Sequence, residues 1–136
     1  MSIVIDASAA ACWIFKDEAT PATDGLLTRV QDAGAIVPAL WNWQMANLLV
    51  IGIRRARVSV ADATGHLADL ALLPIAIDAE GSARAWRETF LLAQAHNLTV
   101  YDVAYLELAQ RTGFDLASKD ADLCAAARTL GLKLAL

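Results

Sequence analysis

The sequence predicts an α/β protein with a mostly parallel central sheet and helices on both faces. Short β-branched segments alternate with longer helix-like segments along the 136 residues, and this alternation is typical of parallel sheets. No internal repeat, low-complexity tract or linker interrupts the alternation. A chain of 136 residues suits one core, so residues 1–136 are expected to form a single domain.

The strand predictions rest on short apolar segments bounded by turn signals. Residues 3–5 and 35–37 are β-branched runs typical of buried strands, and Pro38 ends the second. Residues 73–77 carry Pro74 near their start, which suits an edge strand. Two further strands are predicted at 114–118 and 132–136.

The helix predictions rest on apolar periodicity and on start and stop signals. Thr20 followed by Pro21 predicts a helix start, and Gly34 its end. Thr99 and Gly113 bound a later helix in the same way. In chain order, helices are predicted at 8–15, 20–33, 40–55, from 59 onward, 82–96, 99–112 and 121–130.

Composition excludes several classes of protein. Hydrophobic residues make up 57% of the chain, which is enough for a packed core and too much for disorder. No apolar stretch is long enough to span a bilayer, and the N-terminus lacks the basic region of a signal peptide, so a cytoplasmic protein is expected. The net charge of -4 excludes nucleic-acid binding by bulk charge and leaves a local basic patch or a metal ion.

Four aspartates fall at strand ends or helix starts. Asp6 directly follows the first strand, and Asp120 and Asp122 lie where the fourth strand leads into a helix. Asp102 lies in the first turn of the helix that begins at 99. In open α/β sheets, sites form beyond the carboxyl ends of the strands. If the sheet gathers these carboxylates, a divalent cation is the usual way to hold them, and oxygen ligands favour Mg²⁺ or Mn²⁺ over zinc.

Each of these acids also has a purely structural explanation. Asp102 and Asp120 suit helix caps, and Asp122 is favoured near the positive end of a helix dipole. Capping explains any one of these three as well as catalysis does. Asp6 differs because it ends a buried strand, where an unpaired carboxylate is costly. A functional role is therefore expected for Asp6 on position alone.

Three short motifs and one longer block of the chain resemble a known family. IVIDAS at 3–8 resembles the opening strand and first acid of PIN domains, and ASKDADL at 117–123 is similar to a later conserved segment. YDVAYLELA at 101–109 resembles a block of the VapC-type toxins and is the most specific of the three signals. Residues 37–47 and 54–59 are similar to the second conserved block of the same toxins. The resemblance covers essentially the whole chain.

The resemblance implies a PIN-like three-layer sandwich and an endoribonuclease that needs Mg²⁺ or Mn²⁺. By position, Asp6, Asp102 and Asp120 would bind the metal, with Asp122 as an accessory ligand. It also implies a cognate VapB-like antitoxin, an RNA substrate and a homodimer.

Two serines and one glutamine complete the expected site. Ser8 and Ser118 would be its polar neighbours, although local capping explains both equally well. Gln44 stands where the family normally has a glutamate. A glutamine oxygen can still ligate a metal or hold a water but brings no charge, so metal affinity should fall. The chain is therefore expected to be either a metal-dependent endoribonuclease or a catalytically impaired PIN domain that acts as a binding module.

Positive charge near the acids is expected to contact phosphate. Lys119, beside Asp120, is the strongest candidate for RNA binding, whereas Arg54 and Arg55 suit a solvated helix end. The two histidines are expected in helices away from the strand ends, which argues against a histidine-driven ribonuclease.

Two other classes of protein also place an aspartate after the first strand. Phosphotransferases of the haloacid-dehalogenase type usually want a second acid two residues later, where this chain has Ser8. Response-regulator receivers need paired acids at the first strand, which this chain lacks.

Overall fold

Four parallel strands form the sheet at the centre of the protein. The computed structural model describes residues 3–136, and residues 1 and 2 lie outside the described part. The sheet has the order β3-β2-β1-β4, and every pairing is parallel. In chain order the strands are β1 (Ile3–Ile5), β2 (Ala35–Pro38), β3 (Ile75–Asp78) and β4 (Asp115–Ala117). The predicted class, a parallel α/β sandwich, is confirmed.

Helices fill every connection between the strands. Each crossover joins parallel strands, which requires a connection long enough to return to the same end of the sheet. The helices are α1 (Ala7–Ala10), α2 (Pro21–Ala33), α3 (Leu40–Arg54), α4 (Val60–Leu72), α5 (Gly81–Arg84), α6 (Phe90–His96), α7 (Val100–Thr112) and α8 (Ala121–Thr129). Short 3₁₀ turns span Ala11–Trp13 and Lys16–Glu18. No described helix is both long and apolar enough to cross a membrane.

The helix ends form where the side chains predict them. The hydroxyl of Thr20 caps α2 in a reciprocal capping box with Thr23, and Pro21 occupies the first turn. Thr99 caps α7 by accepting from the backbone N–H of Asp102. Gly113 ends α7 at φ 74°, in the left-handed region that favours glycine.

Three predicted elements differ from the structure. The helix predicted at 8–15 is α1 followed by a 3₁₀ turn, because α1 starts one residue earlier and tightens after Ala10. The helix predicted at 82–96 contains a π-helical turn at Ala85–Thr89. The strand predicted at 132–136 was wrong: it contributes a single bridge from Leu134 to Leu116, since only this short stretch reaches the free edge of β4.

The core lies on both faces of β1 and along α7. All three residues of β1 have no exposed surface, as expected for a strand covered on both faces. Helix α7 buries most of its surface, including Tyr105 and Leu106.

A cluster of charged side chains packs against this core. The Glu107 carboxylate pairs with Arg111 one turn later, and Arg111 also reaches Asp78 at the end of β3. Burial of these carboxylates is offset by the shared guanidinium.

Candidate functional site

The carboxyl ends of β1 and β4 place Asp6 and Ser118 side by side. The two strands pair in register, and the backbone N–H of Asp6 continues the ladder by donating to the carbonyl of Ala117 at 3.0 Å. Asp6 and Ser118 are 112 positions apart in the chain but adjacent in space. The sheet therefore joins the first and last acidic segments at one edge, as the sequence predicts.

The Asp6 carboxylate is held from three directions. Its Oδ1 accepts from the Ser8 hydroxyl at 2.7 Å and from the backbone N–H of Ala9 at 3.0 Å. Its Oδ2 accepts from the Ser118 hydroxyl at 2.5 Å. Only 6% of the residue is exposed. These donors orient the carboxylate and compensate for its burial.

Opposing influences set the acidity of Asp6. Burial raises the pKa of Asp6 above its ordinary value, while the hydrogen bonds from Ser118, Ser8 and Ala9 lower it. The charge of Asp120 raises the pKa further, which shows that this second acid lies within electrostatic range. A cation beside Asp6 would stabilise the ionised carboxylate and oppose the effect of burial on its pKa.

Ser118 connects the two acids. Its hydroxyl donates to Asp6 and accepts from the backbone N–H of Asp120 at 3.0 Å. The Asp120 side chain caps α8 by accepting from the N–H of Leu123 at 2.9 Å through Oδ1. The capping explanation for Asp120 is thus true, and it leaves the other carboxylate oxygen without a bond to the described residues. Asp122 is exposed in the first turn of α8.

Gln44 reaches the same edge from α3. Its Oε1 accepts a 2.5 Å hydrogen bond from the hydroxyl of Tyr105 on α7. Tyr105 is 1% exposed, and burial raises its pKa; the charges of Asp6 and Asp102 raise it further. The Tyr105 hydroxyl thus binds Gln44 and is affected by the charges of both Asp6 and Asp102. Ser118 thus contacts Asp6 and the backbone of Asp120, and Tyr105 contacts Gln44.

The donor set suits a hard cation, although the side chains are not arranged as a finished ion site. Among residues 3–136, no three His, Cys, Asp or Glu side chains converge closely enough to hold an ion. The carboxylates of Asp6 and Asp120 point into hydrogen bonds with the chain instead. The side-chain ligand atoms at this edge are oxygens, and Asp6 supplies a buried carboxylate; both features fit Mg²⁺ or Mn²⁺.

Sequence reasoning missed Tyr105 and the backbone donor at Ala9. Tyr105 falls within the segment that resembles the toxins, but its place in an apolar helix predicts only core packing. The Ala9 N–H reaches Asp6 because α1 begins at Ala7, so that Asp6 is its N-cap. The helix prediction that started at Ser8 placed that cap one residue too late.

The cationic side chains of Lys119 and Arg57 differ in their ion pairing. Lys119 is exposed, and no ion pair involves it within the described chain; its N–H donates to the Ser8 hydroxyl at 2.9 Å. Arg57 instead pairs with Asp17 and Glu18 on the second 3₁₀ turn.

An open groove leads away from the acids. It has a volume of about 360 Å³ and runs from Ala7 and Gln44 past Asn47 to Arg55. Eleven positions of α3 separate Gln44 from Arg55, which places them about 16 Å apart along the helix axis. The helix α3 therefore fixes the distance between the positive charge of Arg55 and Gln44 at the strand edge.

An all-parallel sheet flanked by helices, with a buried aspartate directly after its central strand β1, defines a class of α/β sandwich proteins. The PIN domain family matches residues 3–129, and the chain belongs to that family.

Two comparisons with individual proteins agree with this assignment. The chain is 29% identical over 123 residues to Ribonuclease VapC3 of Pyrobaculum aerophilum, covering 90% of this chain and 92% of that protein. The crystal structure of PAE2754 from Pyrobaculum aerophilum superposes with a TM-score of 0.70 at 23% identity, covering 93% of this chain and 84% of that one. The second likeness supports the fold.

Proposed function

We propose that this protein is a Mg²⁺- or Mn²⁺-dependent endoribonuclease, the toxin of a VapBC-type toxin–antitoxin pair. The observation that carries the proposal is the buried Asp6 carboxylate, oriented by Ser8 and Ser118 at the strand edge. A structural cap on the four-residue helix α1 does not need hydroxyl donors on both oxygens. Membership of the PIN family and the relative named as a ribonuclease support the same function.

The metal would be held by Asp6, Asp102 and Asp120, with Asp122 as an accessory ligand. When bound, such an ion activates a water and stabilises charge on the phosphate oxygens. Ser118 is positioned to orient Asp6 and Asp120 together, because it contacts both. Tyr105 is positioned to fix Gln44, and its raised pKa keeps its proton in place as a donor.

RNA would approach along the groove beside α3. Its cationic end at Arg55 and the exposed Lys119, which precedes Asp120 in the chain, would each contact a phosphate of the RNA. Arg57 is already paired with two acids, so we assign it to structure and not to RNA.

A second candidate is a PIN domain that binds partners without cutting RNA. The observation that favours it is Gln44, whose Oε1 is already committed to the Tyr105 hydroxyl. The side chain then presents its amide nitrogen, a donor that metal ions do not accept. With one carboxylate fewer than the family pattern, metal affinity is expected to be reduced.

We also propose a VapB-like antitoxin, a homodimer and a cytoplasmic location. Large apolar side chains on the surface support partner binding: Trp43 is 78% exposed and Trp86 is 95% exposed. Aromatic residues of this kind are enriched where proteins meet. Trp41 is instead buried in the core, and Trp13 packs partly buried against it.

Cleavage of a mixed RNA pool tests the proposal and separates the two candidates. The protein, Asp6→Asn and Gln44→Glu are compared in Mg²⁺, Mn²⁺ and EDTA, with Asp62→Asn as a control at an exposed helix start remote from the strand edge. We expect metal-dependent cleavage that falls at least about 100-fold in Asp6→Asn and is unchanged in Asp62→Asn. Cleavage only by Gln44→Glu would establish the binding module. Equal cleavage by Asp6→Asn, or cleavage in EDTA, would refute both assignments.

A further inference from the structure

A cleft beside the candidate site contains a polar group that the fold does not use. The cleft, here called the Thr89 pocket, has a volume of about 250 Å³. Its lining includes Pro38 and Leu40 after β2, Asp78 at the end of β3, and Tyr101, Ala104 and Glu107 on α7. Drug-sized ligands usually occupy 300 Å³ or more, so this pocket suits a single ring system.

Thr89 is the unusual residue of this pocket. The residue is 4% exposed, and none of the side-chain hydrogen bonds found among residues 3–136 involves its hydroxyl; its oxygen is not among the fully buried atoms without a partner, since the residue lines the cavity. Four other helical threonines donate to the carbonyl four residues earlier, a common bond for hydroxyls on a helix. These are Thr28, Thr64, Thr112 and Thr129.

The π-helical turn explains why Thr89 differs. The turn spans Ala85–Thr89, and both of its end residues line the pocket. Widening the helix by one residue per turn moves the usual acceptor away from the threonine side chain. Such turns are rare and occur often at functional sites. The buried hydroxyl is thus left facing the cavity.

The carboxylate of Glu107 provides hydrogen-bond acceptors in the lining of the same pocket. Glu107 is 4% exposed and lines the cavity, with both oxygens accepting from the Nε of Arg111. An ionised carboxylate has about four acceptor positions, so Glu107 keeps acceptor capacity for a ligand. The aromatic ring of Tyr101, 63% exposed, stands in the lining as a stacking surface.

The pocket lies close to the proposed catalytic edge. Tyr101 and Ala104 belong to the same turn of α7 as Asp102. Asp6 follows β1, whereas the pocket lies beyond β2 and β3, its next neighbours in the sheet. One to two strand spacings separate them, or about 5–10 Å along the edge.

We propose that the Thr89 pocket binds one unpaired adenine or cytosine of the RNA, next to the bond that is cut. This inference rests on the proposed ribonuclease function and adds a base preference to it. Adenine and cytosine present an amino donor beside a ring-nitrogen acceptor. Glu107 accepts from the amino group, the Thr89 hydroxyl donates to the ring nitrogen, and Tyr101 stacks on the base. Uracil presents the reverse pattern.

The binding experiment uses the full chain without metal, so it does not depend on cleavage. Backbone amide NMR spectra are recorded during titration with CMP and with UMP. We expect CMP to shift the amides of Thr89 and Ala104 saturably, with a Kd at least fivefold lower than that of UMP. Thr89→Val keeps the shape but removes the hydroxyl, and should reduce this preference to within about twofold. Thr64→Val, on an exposed helix face, should leave it unchanged.

A filling variant supplies an independent check. Ala104→Leu should abolish CMP binding at the pocket, whereas Ala125→Leu, on the exposed face of α8, should not. Equal binding of CMP and UMP, or an unchanged preference in Thr89→Val, would overturn the proposal. So would shifts at Thr89 caused by N-acetyl-leucinamide but by neither nucleotide, since that result assigns the pocket to a peptide side chain.

Cleavage of short RNAs separates this inference from the proposed function. The protein is given oligouridine with one central cytosine, and oligouridine alone. We expect at least fivefold faster cleavage of the first, and loss of that ratio in Thr89→Val. Cleavage with no base preference would overturn the pocket assignment and leave the ribonuclease function intact. Selective CMP binding without cleavage of either RNA would support the pocket and refute the ribonuclease.

Discussion

Replacing Ser118 with alanine tests how the strand edge controls Asp6. The Ser118 hydroxyl donates to Asp6 at 2.5 Å, and two other donors remain when it is removed. A hydrogen bond to a charged group contributes about 1.5–3 kcal/mol, against about 0.5–1.5 kcal/mol between neutral groups. The ionised form of Asp6 therefore loses about 1–1.5 kcal/mol more than the protonated form. The pKa of Asp6, already raised by burial, should rise by about one further unit.

The sign of the pH dependence follows from this shift. A folded-state pKa above the unfolded value means that stability falls as pH rises through the folded pKa. Ser118→Ala raises that folded pKa and leaves the unfolded one unchanged. The loss of unfolding free energy should therefore be larger at pH 7.5 than at the lowest pH at which both proteins stay folded.

Urea unfolding at the two pH values, with EDTA present, measures this difference. NMR titration of the Asp6 carboxyl carbon gives the pKa directly. The matched control is Ser59→Ala, which removes the exposed cap of α4 and should cost about 1 kcal/mol at both pH values. An unchanged Asp6 pKa, or an equal loss at both pH values in Ser118→Ala, would refute the reasoning.

Three further substitutions test other parts of the structure. Arg111→Met leaves the buried carboxylates without their cation and should lower the free energy of urea unfolding by about 3–5 kcal/mol. Because Arg111 lowers the pKa of Asp78, this loss should shrink as the pH falls through that pKa. A loss that does not change with pH would contradict the prediction. Gly113→Ala should cost about 1 kcal/mol at its φ of 74°, by thermal unfolding, and no loss would show that the turn relaxes. Tyr105→Phe removes the donor to Gln44 and should cost about 1–3 kcal/mol; a neutral result would mean that the amide finds another partner.

The parallel sheet was predictable because its signals are local. Short β-branched runs and glycine or proline stops gave strands 3–5 and 35–37 nearly as the structure has them. The strand at 132–136 failed because apolar character alone does not show whether a free sheet edge is long enough to pair with it. The π-turn at Ala85–Thr89 leaves no periodic signal, since one extra residue in a short helix lies within the scatter of the pattern.

The candidate site was only partly predictable. Asp6 was identified from its place after a buried strand, and its burial is confirmed. The roles of Asp102, Asp120, Asp122 and Gln44 as ligands or catalytic groups stay predictions. The shared contact of Ser118 with Asp6 and Asp120 depends on strand pairing across 112 positions, which no local pattern contains.

The pairing of Arg111 with Glu107 has a signal in the sequence. An oppositely charged i,i+4 pair in an otherwise apolar helix indicates a buried ion pair. The third partner, Asp78, lies on another strand and could not be inferred from spacing.

Calorimetric titration with Mn²⁺ tests the central claim most directly, that the acids at the carboxyl edge of the sheet form a divalent-metal site. The protein, Asp6→Asn and the surface control Asp62→Asn are titrated under the same conditions. The account predicts saturable binding that weakens at least tenfold in Asp6→Asn and is unchanged in Asp62→Asn. Mn²⁺ binding of equal strength in Asp6→Asn, or none in any of the three proteins, would contradict it.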